Sequence, residues 1–147
     1  MVYSALKKSA GGWEPDWEDF ARKASQADLR VKILFLCNPH NRPDESGGLM
    51  NLSGLLKICL ANDIWVISDE IHCDLSRSGI GHTPAASLFP DSTRIITCMS
   101  SSKTFNLAGN LLANIIIPDP GVRSEWRLRH DEFISPLSLA ANKAGVE

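Results

Sequence analysis

Residues 94–109, RIITCMSSSKTFNLAG, join a strand-like apolar segment to a run of serines and a lysine. Arg94–Cys98 is rich in β-branched residues, which is typical of a buried strand. The polar residues 100–103 interrupt this segment, and Phe105-Asn106-Leu107-Ala108 turns apolar again at once. We therefore expect Lys103 and the serines before it to be polar groups in an otherwise interior place.

The composition is that of one ordinary globular domain. The chain has 147 residues, of which 44% are hydrophobic and 22% charged, with a formal net charge of -2. Because basic residues are not in excess, a nucleic-acid-binding surface built on bulk positive charge is not expected. Residues 1–20 lack the apolar core of a signal peptide, and no uninterrupted apolar run reaches about 18 residues. We expect a cytoplasmic protein with no membrane partner.

Four short apolar segments are predicted to be strands. Each is rich in β-branched residues and is bounded by polar residues, glycine or proline. They are Val31–Cys37, Asp63–Ser68, Arg94–Cys98 and Leu112–Ile117. Because helices or long connections separate them, the pattern predicts an α/β fold with a mostly parallel sheet, flanked by helices and buried on both faces.

Three helices are predicted. They cover about residues 16–27, 52–61 and 122–134, the last ending before Pro136. In the first helix, Trp17, Phe20 and Ala21 are expected to face inward. In the second, apolar residues recur at helical spacing. These are Leu52, Leu55, Leu56, Cys59 and Leu60.

Neither a disulfide framework nor a metal site is predicted. The cysteines are Cys37, Cys59, Cys73 and Cys98, and none forms a CxxC pair, so reduced, buried thiols are expected. A metal site could be imagined from three histidines and Cys73. Those histidines are His40, His72 and His82, and their spacing fits no HExxH-type ligand pair.

Compact polar clusters follow three consecutive predicted strands. Asn38-Pro39-His40-Asn41 follows the first, Asp69-Glu70-Ile71-His72 the second, and the serines with Lys103 the third. Ligands bind beyond the carboxyl ends of the strands in open parallel α/β sheets, so these clusters are expected to line one site.

The Asp69-Glu70 pair has two other interpretations. Strand-end acids can simply cap the next helix. An acidic pair after an apolar strand is also typical of P-loop NTPases, but these need a GxxxxGK[ST] loop, and the chain contains no Gly-Lys pair.

The side chains at these strand ends suit a particular cofactor. Lys103 follows a buried strand, so its amine is expected to be partly desolvated and usable as a nucleophile and base. The serines offer hydroxyls and backbone N–H groups that suit a phosphate. A carboxylate such as Asp69 could hold a pyridinium nitrogen protonated. Together these are the protein groups that pyridoxal 5′-phosphate requires.

The motifs CNPHN, SDEIHCDL, GHTP and SKTFNLAG resemble those of the fold type I pyridoxal-phosphate enzymes, the aminotransferase class I/II superfamily. Within it they look like the MalY/PatB-type cystathionine β-lyases, a carbon–sulfur lyase branch. The resemblance runs from about Trp13 to Leu139. It implies that residues 1–147 are a partial large, cofactor-binding domain, without the family's N-terminal segment and C-terminal small domain.

The resemblance implies the central chemical roles. Lys103 matches the lysine that bonds to the cofactor's aldehyde carbon, and Asp69 matches the aspartate that pairs with the pyridine nitrogen. The substrate would be an amino acid with a sulfur leaving group, such as cystathionine or cysteine. Lys103 would remove its Cα proton, and β-elimination would give a thiol, pyruvate and ammonia.

Four further residues match cofactor-binding positions of the family. Asn41 matches the asparagine that hydrogen-bonds the 3′-oxygen, and His72 stands where many aminotransferases carry a tyrosine near that oxygen. Ser100 and Ser102 match phosphate-contacting positions. Arg42-Pro43-Asp44 departs from the Pro-Thr-Gly that usually follows NPHN in the family.

Three functions stay open at this point. A lyase is favoured by His72 and by the SKTFNLAG motif. An aminotransferase would use the same residues but would reprotonate the cofactor, and a remnant without its missing parts would be non-catalytic.

His82, within GHTP, resembles the lyase pattern but has no assigned role. The resemblance also implies a homodimer.

Overall fold

The computed structural model describes residues 1–9, 12–39, 52–75, 81–110 and 112–133. Several positions named above lie outside these ranges, namely His40, Asn41, Arg42, Pro43, Asp44, Ile134, Pro136 and Leu139. No helix in the described ranges is long and apolar enough to cross a membrane.

A two-stranded antiparallel hairpin precedes the main sheet. Strand β1 (Leu6–Ser9) pairs with strand β2 (Gly12–Pro15). The sequence did not predict this hairpin, because LKKS and GWEP lack the β-branched residues on which strand prediction depends.

The main sheet confirms the four predicted strands, with ends shifted by one or two residues. Its strands, in sheet order, are β3 (Ile33–Cys37), β4 (Trp65–Asp69), β5 (Ile95–Met99) and β6 (Asn114–Ile116). The first three are parallel, and β6 runs antiparallel to β5. The sheet is therefore mostly parallel, as predicted.

Within the described ranges, four α-helices flank or follow these strands. They are α1 (Trp17–Ser25), α2 (Leu52–Ala61), α3 (Ser101–Thr104) and α4 (Pro120–Phe133). Helix α2 has the predicted bounds. Helix α1 begins one residue later than predicted because Asp16 is its N-cap, whose carboxylate accepts the Asp19 backbone N–H at 3.1 Å. Short 3-10 helices cover Cys73–Leu75, Ala85–Leu88 and Ala108–Asn110.

The hydrophobic core lies on one face of the sheet, beneath α1 and α2. Its buried members come from the strands, α2 and the segment beside them. They are Leu36, Leu55, Leu56, Cys59, Ile64, Val66, Ala85 and Ile95. Helix α1 packs on this core through Trp17, Phe20 and Ala24, whereas the sequence pattern predicted Ala21 in place of Ala24. The spacing of four residues from Phe20 to Ala24 keeps both on one helix face.

The other face of the sheet is largely open, so the expectation of a sheet buried on both faces is wrong for the described chain. Phe35 is 73% exposed and Ile33 48% exposed, although both lie in a strand. Their register partners on β4, Ile67 and Trp65, are half-buried. Strand β3 therefore packs through alternate residues only, as in a sheet covered on one side.

The cysteines are free thiols, as predicted, but only Cys59 is fully buried. Cys37, Cys73 and Cys98 are half-buried. The expectation that all these thiols are buried is therefore too broad, since Cys37 is the last residue of β3 and Cys98 the second-last residue of β5, and neither belongs to the core.

Candidate functional site

The carboxyl ends of three parallel strands lie side by side. Cys37 is in register with Asp69, and Asp69 with Cys98. The ladder continues one step further, because the Asn38 N–H donates to the Asp69 carbonyl at 2.9 Å and the Glu70 N–H to the Cys98 carbonyl at 2.7 Å. The polar clusters that follow the three strands therefore start at one edge of the sheet, as the sequence predicted.

Asp69 presents its carboxylate on the open face of this edge. It is exposed and shares that face with Phe35 and Ile67. Its Oδ1 accepts the Ile71 backbone N–H at 3.1 Å, which holds the carboxylate over the turn that follows β4. This is the local capping considered for a strand-end acid, although only a turn and the 3-10 helix Cys73–Leu75 follow.

The serines after β5 begin a short helix. Ser100 is the N-cap of α3, and its Oγ accepts the Ser102 N–H at 3.1 Å. The same hydroxyl donates to the Leu112 carbonyl at 2.6 Å, which ties the end of β5 to the segment before β6. The interruption of the apolar pattern by serines is thus explained locally, because the chain changes from strand to helix here.

Lys103 lies on α3 and is exposed, so the expectation of a partly desolvated amine is not met in the described chain. The surroundings are also not interior, since Phe105 is 67% and Leu107 43% exposed. The apolar residues that follow Lys103 therefore lie on an exposed surface and not in the core. Helix α3 is linked to the 3-10 helix Cys73–Leu75 by Thr104, whose Oγ1 donates to Asp74 Oδ2 at 2.8 Å.

The remaining predicted site residues are only partly described. Ser102 is half-buried on α3. His72 is half-buried in the turn after β4, where its carbonyl accepts the Leu75 N–H at 3.0 Å. Asn41 lies outside the described residues.

A buried acid next to Asp69 was missed by the sequence analysis. Glu70 is 2% exposed. Its Oε1 accepts the Ser68 hydroxyl and the Ala85 N–H, both at 2.9 Å, and its Oε2 lies 2.8 Å from His82 Nε2. The signal that could have found it is strand alternation, which places residues 68 and 70 on the face opposite to Asp69.

The negative charge of Asp69 affects the pKa of Cys98 on the neighbouring strand. Burial, and secondly the negative charge of Asp69, raise the pKa of the Cys98 thiol. A neutral thiol therefore lies beside the carboxylate, which does not favour Cys98 as a nucleophile.

The side chains at this edge suit the chemistry of pyridoxal 5′-phosphate. An exposed carboxylate, Asp69, ends one strand, and the neighbouring strand leads through Ser100 into the helix that carries Lys103. A carboxylate, a primary amine and hydroxyl groups are the protein groups that bind this cofactor. Both the amine and the carboxylate are open to an incoming molecule.

Comparisons with known proteins agree on one family. The sequence profile of aminotransferase class I and II matches residues 1–146. Over 138 residues the chain is 42% identical to cystathionine beta-lyase PatB of Bacillus subtilis, covering 93% of this chain and 33% of that relative. Over 149 residues it is 32% identical to kynurenine–oxoglutarate transaminase 1 of Rattus norvegicus, covering 97% and 35%.

A solved structure gives the same picture. The pyridoxal-phosphate-bound C–S lyase from Staphylococcus hominis superimposes with a TM-score of 0.79 and 41% identity, covering 95% of this chain and 35% of that one. The chain spans about a third of the length of the relatives that it matches.

Proposed function

The chain belongs to the aminotransferase class I and II family, and from this we propose that it is the central part of the cofactor-binding domain of a pyridoxal-phosphate-dependent carbon–sulfur lyase. The substrates would be sulfur amino acids such as cystathionine or cysteine. The observation that carries the proposal is the register that sets Asp69 beside the strand leading to Lys103. The 42% identity to a cystathionine beta-lyase favours this chemistry over others in the family.

Asp69 and Lys103 would carry the reaction. When bound, pyridoxal 5′-phosphate supplies a ring that accepts the electron pair left at the substrate Cα. The Asp69 carboxylate would accept a hydrogen bond from the protonated pyridine nitrogen and so keep the ring electron-poor. The Lys103 amine would hold the cofactor's aldehyde carbon before the substrate arrives, and would then take the proton from Cα.

The other predicted residues would bind and orient. Ser100 and Ser102 would contact the phosphate, and Ser100 would turn its hydroxyl hydrogen away from the Leu112 carbonyl to do so. Asn41 and His72 would lie near the 3′-oxygen. In the net reaction the Cβ–S bond breaks, the sulfur leaves as a thiol, and water supplies the keto oxygen of pyruvate as ammonia is released.

A lysine-specific trap tests cofactor binding. The purified chain is titrated with pyridoxal 5′-phosphate, the absorbance band of lysine-bound cofactor is recorded, and the bond is reduced with borohydride for peptide mass spectrometry. We expect the band and a reduced adduct on Lys103 in the wild type, and neither in Lys103→Ala.

The matched control is Lys57→Ala, which removes an exposed lysine on α2. This variant should bind cofactor like the wild type. A band of equal strength in Lys103→Ala, or an adduct spread over surface lysines, would contradict the proposal.

An aminotransferase is the second candidate, and the 32% identity to a transaminase favours it. The two reactions differ in their need for an acceptor. Pyruvate released from cystathionine without any keto acid would support the lyase. Amino-group transfer that occurs only after a keto acid is added would support the aminotransferase instead.

The proposal also includes a homodimer in the cytoplasm. The homodimer is implied by the family resemblance, and the cytoplasmic location is an expectation from the sequence.

A further inference from the structure

The segment 81–85, GHTPA, lies across the ends of two parallel strands. At the end of β3, Asn38 Nδ2 donates to the Thr83 carbonyl at 3.0 Å. At the end of β4, Glu70 receives the Ala85 N–H at 2.9 Å and faces His82 at 2.8 Å. The segment therefore bridges the two strand ends through hydrogen bonds at three points.

Glu70 is the centre of this arrangement, because both its backbone and its carboxylate are hydrogen-bonded. Its backbone N–H donates to the Cys98 carbonyl at 2.7 Å, and its carbonyl accepts the Cys73 N–H at 3.0 Å. Its carboxylate is 3% exposed, and the His82 side chain that faces it is 13% exposed. The residue directly after Asp69 is thus held by its neighbouring strand, by the following turn and by residues 82–85.

A buried carboxylate at position 70 is not the side chain that would give the core the greatest stability. Burying a carboxylate is unfavourable, and a buried polar pair is often no more stabilising than apolar side chains of similar volume. Apolar residues at positions 70 and 82 would fill the same space, but they would not fix the strand end by directional bonds. The pair is therefore better explained by positioning than by stability.

We propose that Glu70 and His82 form a positioning pair that fixes the end of β4 and so directs the Asp69 carboxylate toward the cofactor. Neighbouring residues of a strand point to opposite faces, so fixing Glu70 on the core face fixes Asp69 on the open face. The turn that supplies the Ile71 N–H to Asp69 starts from the same fixed residue. The link to the cofactor rests on the proposed function, but the fixing of the strand end does not.

Three variants of the chain separate positioning from simple packing. His82→Leu removes the ring nitrogen but keeps an apolar side chain, and His82→Gln keeps an N–H donor near the Nε2 position. Thr83→Ala is the matched control, because it changes an exposed side chain of the same segment. His82→Asn, whose amide is too short to reach Glu70, replaces His82→Leu if that variant does not fold.

The first measurement needs no cofactor. Backbone amide hydrogen exchange is followed by mass spectrometry for peptides covering 69–75 and α2. In His82→Leu we expect exchange at 69–75 to be at least about tenfold faster with α2 unchanged, because the buried Glu70 carboxylate has lost a hydrogen-bond partner. His82→Gln and Thr83→Ala should stay close to the wild type. Unchanged exchange at 69–75, or equal acceleration in α2, would overturn the proposal.

The second measurement is the dissociation constant for pyridoxal 5′-phosphate, from absorbance titration. We expect it to rise about tenfold in His82→Leu and to recover in His82→Gln, since a misdirected carboxylate loses a charge-assisted hydrogen bond. An unchanged constant in His82→Leu would overturn the link to Asp69. If the wild type binds no cofactor, the proposed function fails, and the exchange experiment still decides whether the pair fixes the strand end.

Discussion

Two adjacent acidic residues of this chain, Asp69 and Glu70, have different surroundings. Asp69 and Glu70 read as one acidic pair in the sequence, but strand alternation puts them on opposite faces of the sheet. Asp69 is exposed at the edge where the polar clusters meet, whereas Glu70 is 2% exposed and bonded to Ser68, His82 and Ala85. The functional role is therefore proposed for Asp69 and a positioning role for Glu70, a distinction that residue type alone does not make.

Cys59 links stability to pH. It is fully buried on α2, and burial raises the pKa of its thiol from 9.0 to about 11. Between pH 9 and pH 11 the unfolded chain loses the thiol proton before the folded chain does. The stability that the neutral, buried thiol contributes is therefore complete below pH 9 and is lost as pH rises toward 11. We expect the free energy of unfolding to fall by about 2 kcal/mol from this group.

The measurement is urea unfolding of the wild type and of Cys59→Ala at several pH values from 8 to 11. The variant should be less stable at pH 8 but should lose less stability as pH rises. Parallel pH curves for the two proteins would contradict the assignment to Cys59.

At the scale of the elements, β3 tests which face of the sheet holds the fold together. Leu36 is 6% exposed and belongs to the core, while the preceding Phe35 is 73% exposed on the open face. Leu36→Ala should lower the free energy of unfolding by about 2–4 kcal/mol, because it leaves a cavity in the core. Phe35→Ala should change it by no more than about 0.5 kcal/mol.

Denaturant unfolding of both variants checks this difference. The two residues are neighbours in one strand, so each serves as the control for the other. A loss in Phe35→Ala as large as that in Leu36→Ala would mean that the open face is covered in solution, contrary to the described structure.

The elements that the sequence predicted well are those whose residues determine them locally. The apolar residues of Ile33–Cys37 and Ile95–Met99 are enough to predict strands. The leucines of α2 indicate its buried face. The β1–β2 hairpin has no such signal. The direction of β6 and the exposure of Phe35 also escaped prediction, because both depend on which other elements pack beside them.

At the scale of the whole molecule, the position of the candidate site was predictable and its environment was not. Parallel strands bring their carboxyl ends to one edge, so Asp69 and Ser100 could be placed there from the sequence. The exposure of Lys103 depends on what covers α3, which no local pattern encodes. The partnership of Glu70 with His82 joins segments twelve residues apart, and only the folded chain brings them together.

If the whole chain binds the cofactor through Lys103, then the cofactor must stabilise its fold. A ligand that binds only the folded state at 100 times its dissociation constant adds about 2.7 kcal/mol. For a chain of this size we expect the melting temperature to rise by roughly 5–10 °C with pyridoxal 5′-phosphate.

Lys103→Ala should lose most of this rise while Lys57→Ala keeps it, and pyridoxal without its phosphate should give a smaller rise through loss of the Ser100 and Ser102 contacts. Differential scanning calorimetry across cofactor concentrations measures these shifts, and an equal rise in the wild type and Lys103→Ala would place binding away from the lysine.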